Sequence, residues 1–516
     1  MTTVVEALAQ IQSEAIDDAA PGAFKILEAT LHHGQGKEYP IGNLISAINL
    51  FENIETVGVT GWLDMYDNVN LIQGGPIIGH ELLYLKFETG GASAAGVSEF
   101  AIDYTTHPLF VHKVEQLESG SQDGKNVQWL SYRLHFCSTE MLRNDRIRLS
   151  RTYQGVVSDI VNDVLKNYLE TTKPVEIVDT LEIQHLIAPN IRPFDLISDL
   201  TPQAQCVAQQ KISQRRGGKS ANSTMFKGAH SDFLFYETAI RSDDSGGFKF
   251  KPALSESDFP SLKFTLQQSP AAPSTNVPGT PIKPDDAGYP AVMLRSLNYE
   301  ITNLGDKYNS IPTGAWGAKS IRHNGISKSY STYESNYIEA LKHKRFAYVS
   351  ETPTYNSKRT ISEWPDAYIN FSSGSAKRES NINAVTKRVD YPWVIVDPAV
   401  SLNRKMQLRH ILGMQRLELT LPGISGLSVG DLAFADLPEI GLAAGQPGLE
   451  GAKQLWENRF DNVWLVTKVA HSITTSGDNP QYLTKIELAN TMSSTSQTLP
   501  TYDQLGRTAP PASIWT

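Results

Sequence analysis

The sequence predicts a mainly β fold with α+β insertions, in which two β-barrel blocks flank a helix-containing middle region. Three observations carry this. Between Met414 and Ala489, short runs alternate apolar and polar residues: Leu417-Glu418-Leu419-Thr420-Leu421, Val463 to Val469 and Tyr482 to Leu488, with turns at Pro422-Gly423 and Gly430-Asp431. Between Gly42 and Ser138 the same texture recurs in Leu44 to Leu50, Thr60 to Tyr66, Ile77 to Phe87 and Trp129 to Phe136. Between these blocks the period changes: Ile160, Val161, Val164, Leu165 and Tyr168 form a helical stripe. Period-2 alternation gives each strand one apolar and one polar face, as a small closed sheet needs.

Each element follows in chain order. Residues 1–35 mix acidic and apolar positions and read as a short helix within an N-terminal segment, 1–39. The first barrel is expected over 40–145, with turns at Asp67-Asn68, Gly74-Gly75-Pro76 and Asp123-Gly124. A middle α+β domain follows over 146–290. Its first helix starts near Ser158-Asp159 and ends before Pro174, and a second starts at Pro193 with Phe194, Ile197 and Leu200 on one face. Phe233 to Tyr236 and Phe248 to Phe250 flank Asp243-Asp244-Ser245-Gly246-Gly247, a hairpin. A Pro-rich loop spans 268–290. Residues 291–304 read as the first strand of the second barrel, 305–400 as a polar insertion, 401–492 as the rest of that barrel, and 493–516 as a Ser/Thr/Pro-rich tail. The two β blocks share texture but no evident residue identity.

Bulk properties limit the function classes. A chain of 516 residues exceeds one core, so two to four domains are expected. A net charge of -9 argues against tight nucleic-acid wrapping, and does not exclude a passage through which DNA slides, where like charge would prevent sticking. Cys137 and Cys206 are too few for a disulfide scaffold or a zinc site, and Cys137 reads as a buried free thiol. Met1 to Glu6 lacks the basic start of a signal peptide, and no run approaches the ~18 apolar residues of a membrane span. A soluble protein folded in a cytoplasm is expected.

No motif carries chemistry. Arg216-Gly217-Gly218-Lys219-Ser220 resembles a phosphate loop, but Ser213 stands where the first glycine is required and no apolar strand precedes it. Apart from the pair His32-His33 the histidines are scattered, and His80, His135 and His471 lie in strand-like runs that predict structural roles. Gly423-Ile424-Ser425-Gly426 has its second glycine one residue too early for a nucleophile elbow. Asp243-Asp244 and Asp285-Asp286 read as turn carboxylates. No residue is assigned to catalysis, to a cofactor or to a metal, and no enzyme activity is expected.

The order of several segments resembles the baseplate central hub protein of contractile-tailed phages, related to the hub part of type VI secretion spike proteins. These segments are Ser131 to Ser138 with Glu140 to Asn144, Tyr153-Gln154-Gly155 leading into Ile160 to Leu165, Asn190 to Ile197, and Phe233 to Glu237. Thr313 to Gly317, Ile326 to Tyr330, Leu421-Pro422-Gly423, Val429-Gly430-Asp431 and Val469-Ala470-His471 complete the series. The resemblance runs from about residue 40 to 490, and its specificity lies in the order of the motifs. It implies two tube-type β-barrels per chain and a homotrimeric ring. That ring would join a hexameric tail-tube protein to a trimeric spike protein, contact baseplate wedge proteins, and let DNA pass. It implies a virion tail baseplate assembled in the host cytoplasm, and no catalytic residues. Segments 255–290 and 440–460 read as insertions relative to a minimal hub. Alternatives are the hub part of a type VI or other contractile injection spike and, in another class, a β-rich cell-wall-degrading enzyme. No β-helix repeats follow residue 489, which disfavours the fused spike.

Overall fold

A computed structural model describes residues 22–34, 36–75, 77–90, 101–120, 129–180, 183–206, 230–253, 264–268, 295–303, 307–324, 328–337, 340, 365–373, 398–413, 415–436, 462–476 and 480–490. The phosphate-loop-like segment 216–220, Asp285-Asp286, the 440–460 insertion, the tail 493–516 and nearly all of the Pro-rich loop lie outside these residues.

The first barrel comprises β1 (Phe24–His33), β2 (Lys37–Pro40), β3 (Ile45–Asn53), β4 (Thr60–Asp67), β5 (Leu82–Thr89), β6 (Ile102–Asp103), β7 (Leu109–Gly120) and β8 (Trp129–Ser138). Its antiparallel order is β2-β1-β5-β7-β8-β4-β3, with β6 on β5. Alternate residues fill its core: Ile48 and Leu50, Leu63 and Met65, Leu83 and Leu85, Leu134 and Phe136. The helix expected within 1–35 is a strand where it is described. Residues 24–39, expected outside the first barrel, build nearly all of two of its strands, because β1 pairs along β5 from Phe24↔Thr89 to His32↔Leu82 and β2 pairs with β1. The strand expected from Ile77 starts at Leu82. Ahead of it the Glu81 carboxylate accepts hydrogen bonds from the backbone N–H groups of Ile78, Gly79 and His80, which holds a turn.

The middle domain contains α1 (Thr139–Arg146), β9 (Thr152–Val156), α2 (Val157–Asp163, continued by a π turn over Val164–Tyr168), β10 (Val175–Ile177), β11 (Ile183–Ile187), α3 (Pro193–Leu200), β12 (Phe233–Thr238) and β13 (Gly247–Pro252). Both expected helices and the hairpin are there. The stripe Ile160, Val161, Val164 and Leu165 packs with Phe194, Ile197, Phe233, Phe235, Phe248 and Phe250. Asp243-Asp244 sits in the hairpin turn, where the Asp243 carboxylate accepts the Ser245 N–H at 2.8 Å.

The second barrel uses β14 (Phe264–Gln268), β15 (Arg295–Ser296) and β16 (Asn298–Asn303) before an insertion. The insertion is a three-stranded sheet of β17 (Gly317–Asn324), β18 (Ser329–Asn336) and β19 (Ile369–Ser373), followed by α4 (Pro398–Gly413). Strands β20 (Gln415–Pro422), β21 (Leu432–Asp436), β22 (Asn462–Thr474) and β23 (Gln481–Asn490) complete the barrel. Residues 401–413, expected in the barrel, are therefore helical. Helix α4 has no amphipathic stripe because it buries polar residues too. Asn403 accepts from Ser335 Oγ, Gln407 accepts the Ser231 N–H, and His410 lies 2.7 Å from the Ala315 carbonyl. Leu402, Met406 and Ile411 supply its apolar contacts.

The hairpin β22–β23 belongs to both barrels. Its base pairs with β20 and β21, and Leu465, Val466, Ile486 and Leu488 lie in the second core. Past a bulge between Val466 and Lys468, its tip runs along β3 from Lys468↔Asn53 to Thr474↔Ala47. There Ile473 and Tyr482 enter the first core. The Tyr482 N–H donates to Gly22 O at 2.7 Å, so the tip bridges β3 to the head of β1.

The turn after β20 shows why this hairpin needs a glycine. The backbone of Gly423 is not left-handed; in this turn region Gly430 has that conformation, with φ 84°. Gly423 instead lies against Tyr482: its N–H donates to Tyr482 O at 2.8 Å, and a Cβ there would overlap the Tyr482 ring. Gly423→Ala should already cost on the order of 1–3 kcal/mol by overpacking, and Gly423→Val more. Chemical denaturation checks this; an Ala variant as stable as the parent would remove the packing explanation.

Candidate functional site: a shared sheet wall and its charged junction

Because β22 pairs with β3, one antiparallel sheet runs through both barrels in the order β16-β20-β23-β22-β3-β4-β8-β7. A single row of partners crosses all eight strands: Asn298↔Thr420↔Lys485↔Ala470↔Phe51↔Thr60↔Cys137↔Phe110. Directly opposed residues share a face. One face of this wall points into the two cores. The other carries Glu418, Lys485, Phe51, Trp62, Tyr66, Arg133 and His135, all exposed or half-buried.

Much of the charge on the outer face is neutralised sideways. Glu487 accepts from Arg416 at 2.7 Å and from Lys468 at 2.8 Å. Arg133 holds Asp64 through Nε at 2.6 Å and Nη2 at 2.9 Å, and lies 3.7 Å over the Trp62 ring. Lys113 and His135 share Glu115, at 2.9 and 3.1 Å. This arrangement presents mixed charge, without a dense basic stripe that would hold phosphates.

Among the described residues, both ends of the wall are open. Strand β16 pairs only with β20. Strand β7 pairs with β5 through Leu109 and Phe110, and beyond Val111 it pairs only with β8. The alternation of eight strands makes the two edges antiparallel. They are also staggered along the strand direction, because β16 and the free part of β7 extend to opposite sides of the common row.

Behind the wall, buried charges tie the units together. Lys173 donates to Glu140 Oε2 at 2.6 Å and to Glu237 Oε1 at 2.7 Å. Glu237 Oε2 also accepts Ser138 Oγ at 2.6 Å and the Val59 N–H at 3.1 Å, so the first barrel, α1 and β12 meet at one carboxylate. Burial pushes the Glu237 carboxyl above its ordinary range. Burial opposes the Lys173 charge, but Glu237 and Glu140 outweigh it and raise the ammonium pKa.

A second cluster joins the barrels. Glu52 on β3 accepts the Val429 N–H at 3.3 Å and faces His471 Nε2 at 3.6 Å. On its other side His471 Nδ1 shares a hydrogen bond with the Tyr482 hydroxyl at 2.7 Å. Burial holds the imidazole below its usual pKa, so His471 is a neutral spacer.

Cys137 and Cys206 are buried free thiols, and burial lifts Cys137 to about 11, which suppresses the thiolate. His135 bonds Glu115. His80 lies in the turn before β5, outside the strand expected for it, and stacks on His33 at 5.7 Å. A cleft of about 160 Å³ beside Gly430 is lined by Arg241, Glu176, Lys249 and Lys251. Its charges are engaged: Lys249 and Lys251 reach Glu176 at 2.6 and 3.5 Å, and Arg241 Nε donates to Ser425 O at 3.1 Å. Among the described residues no group of three or more His, Cys, Asp or Glu is placed to hold a metal. No helix among them is long and apolar enough to cross a membrane. The sequence missed the Lys173 and Glu52 clusters because their members lie far apart in the chain; the local signals were glutamates such as Glu52 and Glu237 within apolar runs.

Removing Lys173 leaves two carboxylates buried without their cation. Lys173→Met should cost about 3–5 kcal/mol. Glu237→Gln keeps a neutral Glu140–Lys173 pair and should cost clearly less. Denaturation of the two variants checks this, and equal losses would show that the cluster does not act as a charge balance.

No family model matches the chain, and no curated protein matches its sequence. Solved structures do resemble it. A 43 kDa tail protein of prophage MuSo2 from Shewanella oneidensis aligns with TM-score 0.45 and 10% identity, over 90% of this chain and 98% of that one. A tail protein from Neisseria meningitidis MC58 gives 0.44 and 9%, over 90% and 96%. An E. coli component of the type VI secretion system, described as structurally similar to T4 bacteriophage tail proteins gp27 and gp5, gives 0.40 and 10%, over 93% and 79%. The structural neighbours are thus phage tail proteins and type VI secretion proteins.

Proposed function

We propose that this chain is a structural hub of a contractile tail baseplate, three copies of which close into a ring between a hexameric tail tube and a trimeric spike. One observation carries the reading: a continuous eight-stranded wall crosses both barrels and, among the described residues, ends in two open, antiparallel edges. An open edge is a template for another strand, and ring closure is what removes edges. Head-to-tail addition of copies continues the strand alternation across each seam. The stagger between the edges favours a closed wall, since strands in a barrel must tilt and their register must shift. Three copies place six barrels around one axis, which fits a six-fold tube on one side and a three-fold spike on the other.

In such a ring the outer face of the wall lines a channel. Its laterally paired charges let DNA pass without capture. The role is mechanical and the chain supplies no catalysis. Assembly takes place in the host cytoplasm, wedge proteins dock around the ring, and the finished ring resides in the virion tail baseplate.

Native mass measurement and electron microscopy of the assembled hub test this. A homotrimer with a central hole is expected, and a dimer or a true hexamer would sink the reading. The same preparation should show no salt-sensitive DNA binding at micromolar affinity; such binding would rule out the neutral channel.

A further inference from the structure

Glu300 on β16 and Glu418 on β20 stand directly opposite each other, both exposed on the outer face of the wall. The same row continues to Glu487. Like charges placed directly across a strand pair are destabilising. Arg416 and Lys468 neutralise Glu487, but among the described residues neither Glu300 nor Glu418 has a base within ion-pair distance. The unbalanced acids therefore sit at an open edge, where the next strand would lie beside them.

The opposite edge offers one base on that face of its outermost strand. Lys113 on β7 is opposed to His135 and so shares the outer face. Its present partner, Glu115, is held in a pair with side chains 55% and 47% exposed. Pairs this exposed contribute little, so Lys113 can take a second acid at small cost. Further along the edge come Glu115 and Glu118, both exposed. A slip of one residue would turn the strand's faces over, which restricts the seam to two-residue steps. Steps that bring Glu115 or Glu118 beside Glu300 stack acid on acid, and the step that brings Lys113 there neutralises the row.

We propose, resting on the ring reading above, that Lys113 of one copy sits beside Glu300 and Glu418 of the next and sets the register of the seam. The occupant of the β16 edge is a second copy of this chain, and the recognition is electrostatic.

The test uses the full chain with Lys113→Glu, Glu300→Lys and the double swap, read by native mass spectrometry at low salt. Melting curves confirm that each variant folds, as expected for exposed edge positions. Each single variant should weaken trimer formation about tenfold, since like charges across an interface are penalised. The double variant should recover to within about threefold of the parent. Salt should shrink these differences by screening. A Lys113→Cys/Glu300→Cys pair should cross-link between copies on oxidation. Single variants that trimerise like the parent, or a double variant that does not recover, would overturn the register while leaving the ring reading intact. A parent chain that forms no trimer would overturn both, and needs no variant to show it.

Discussion

The β22–β23 hairpin enters two hydrophobic cores at once, and the rest of the molecule is arranged around that constraint. Its base is held between β20 and β21, and its tip fills the gap between β3 and the head of β1. The first barrel has no strand of its own there, so a hairpin of the second barrel completes its wall. Beyond a bulge between Val466 and Lys468 the hairpin still packs in the second core at Val469 and Ile486, and it reaches the first core at Ile473 and Tyr482. A bulge bends a strand and increases its local twist, which a strand serving two curved sheets requires. Gly423 follows from the same constraint, since Tyr482 can reach the first core only where the backbone beside its ring carries no side chain.

The junction behind the wall is polar. Glu237, Lys173 and Glu140 form one buried set, and Glu52, His471 and Tyr482 another. Burying charge is costly, and apolar residues of similar volume would often be as stable. What the charged sets add is direction. A carboxylate accepting Ser138, Val59 and Lys173 at once has one satisfactory position, whereas an apolar contact tolerates sliding. Such a set fixes one defined orientation of the units it joins.

The open edges are guarded as well as open. Strand β7 carries two register shifts and the charged residues Lys113, Glu115 and Glu118, and β16 carries Glu300. Charges and bulges on edge strands discourage indiscriminate pairing. They leave pairing available to a strand whose own charges complement them. In the proposed seam the same residues would both discourage aggregation of free chains and select the neighbour.

The sequence by itself determined the mainly β class, both alternating blocks, the middle helices and the Phe-rich hairpin. In the alternating blocks and the middle helices burial follows a period near 2 or 3.6, which a local pattern reports, while the Phe-rich hairpin is buried on both faces and shows itself by its apolar runs and its turn. It failed where the pattern is broken by tertiary contacts. Strand β7 was illegible because bulges at Val111/Lys113 and Gln116/Glu118 reset its alternation. Helix α4 was illegible because Asn403, Gln407 and His410 are buried beside its apolar residues, which erases any stripe. Gly423 was legible as a special position, but the cause is the Tyr482 ring, a partner 59 residues away in a different core. The wall, its two edges and the buried charge sets depend on pairings such as Lys468↔Asn53 and Lys173 with Glu237. Such pairings join residues far apart in the chain. Hydrophobic period encodes which face of a strand is buried, but not which strand lies beside it, and only the folded chain decides that.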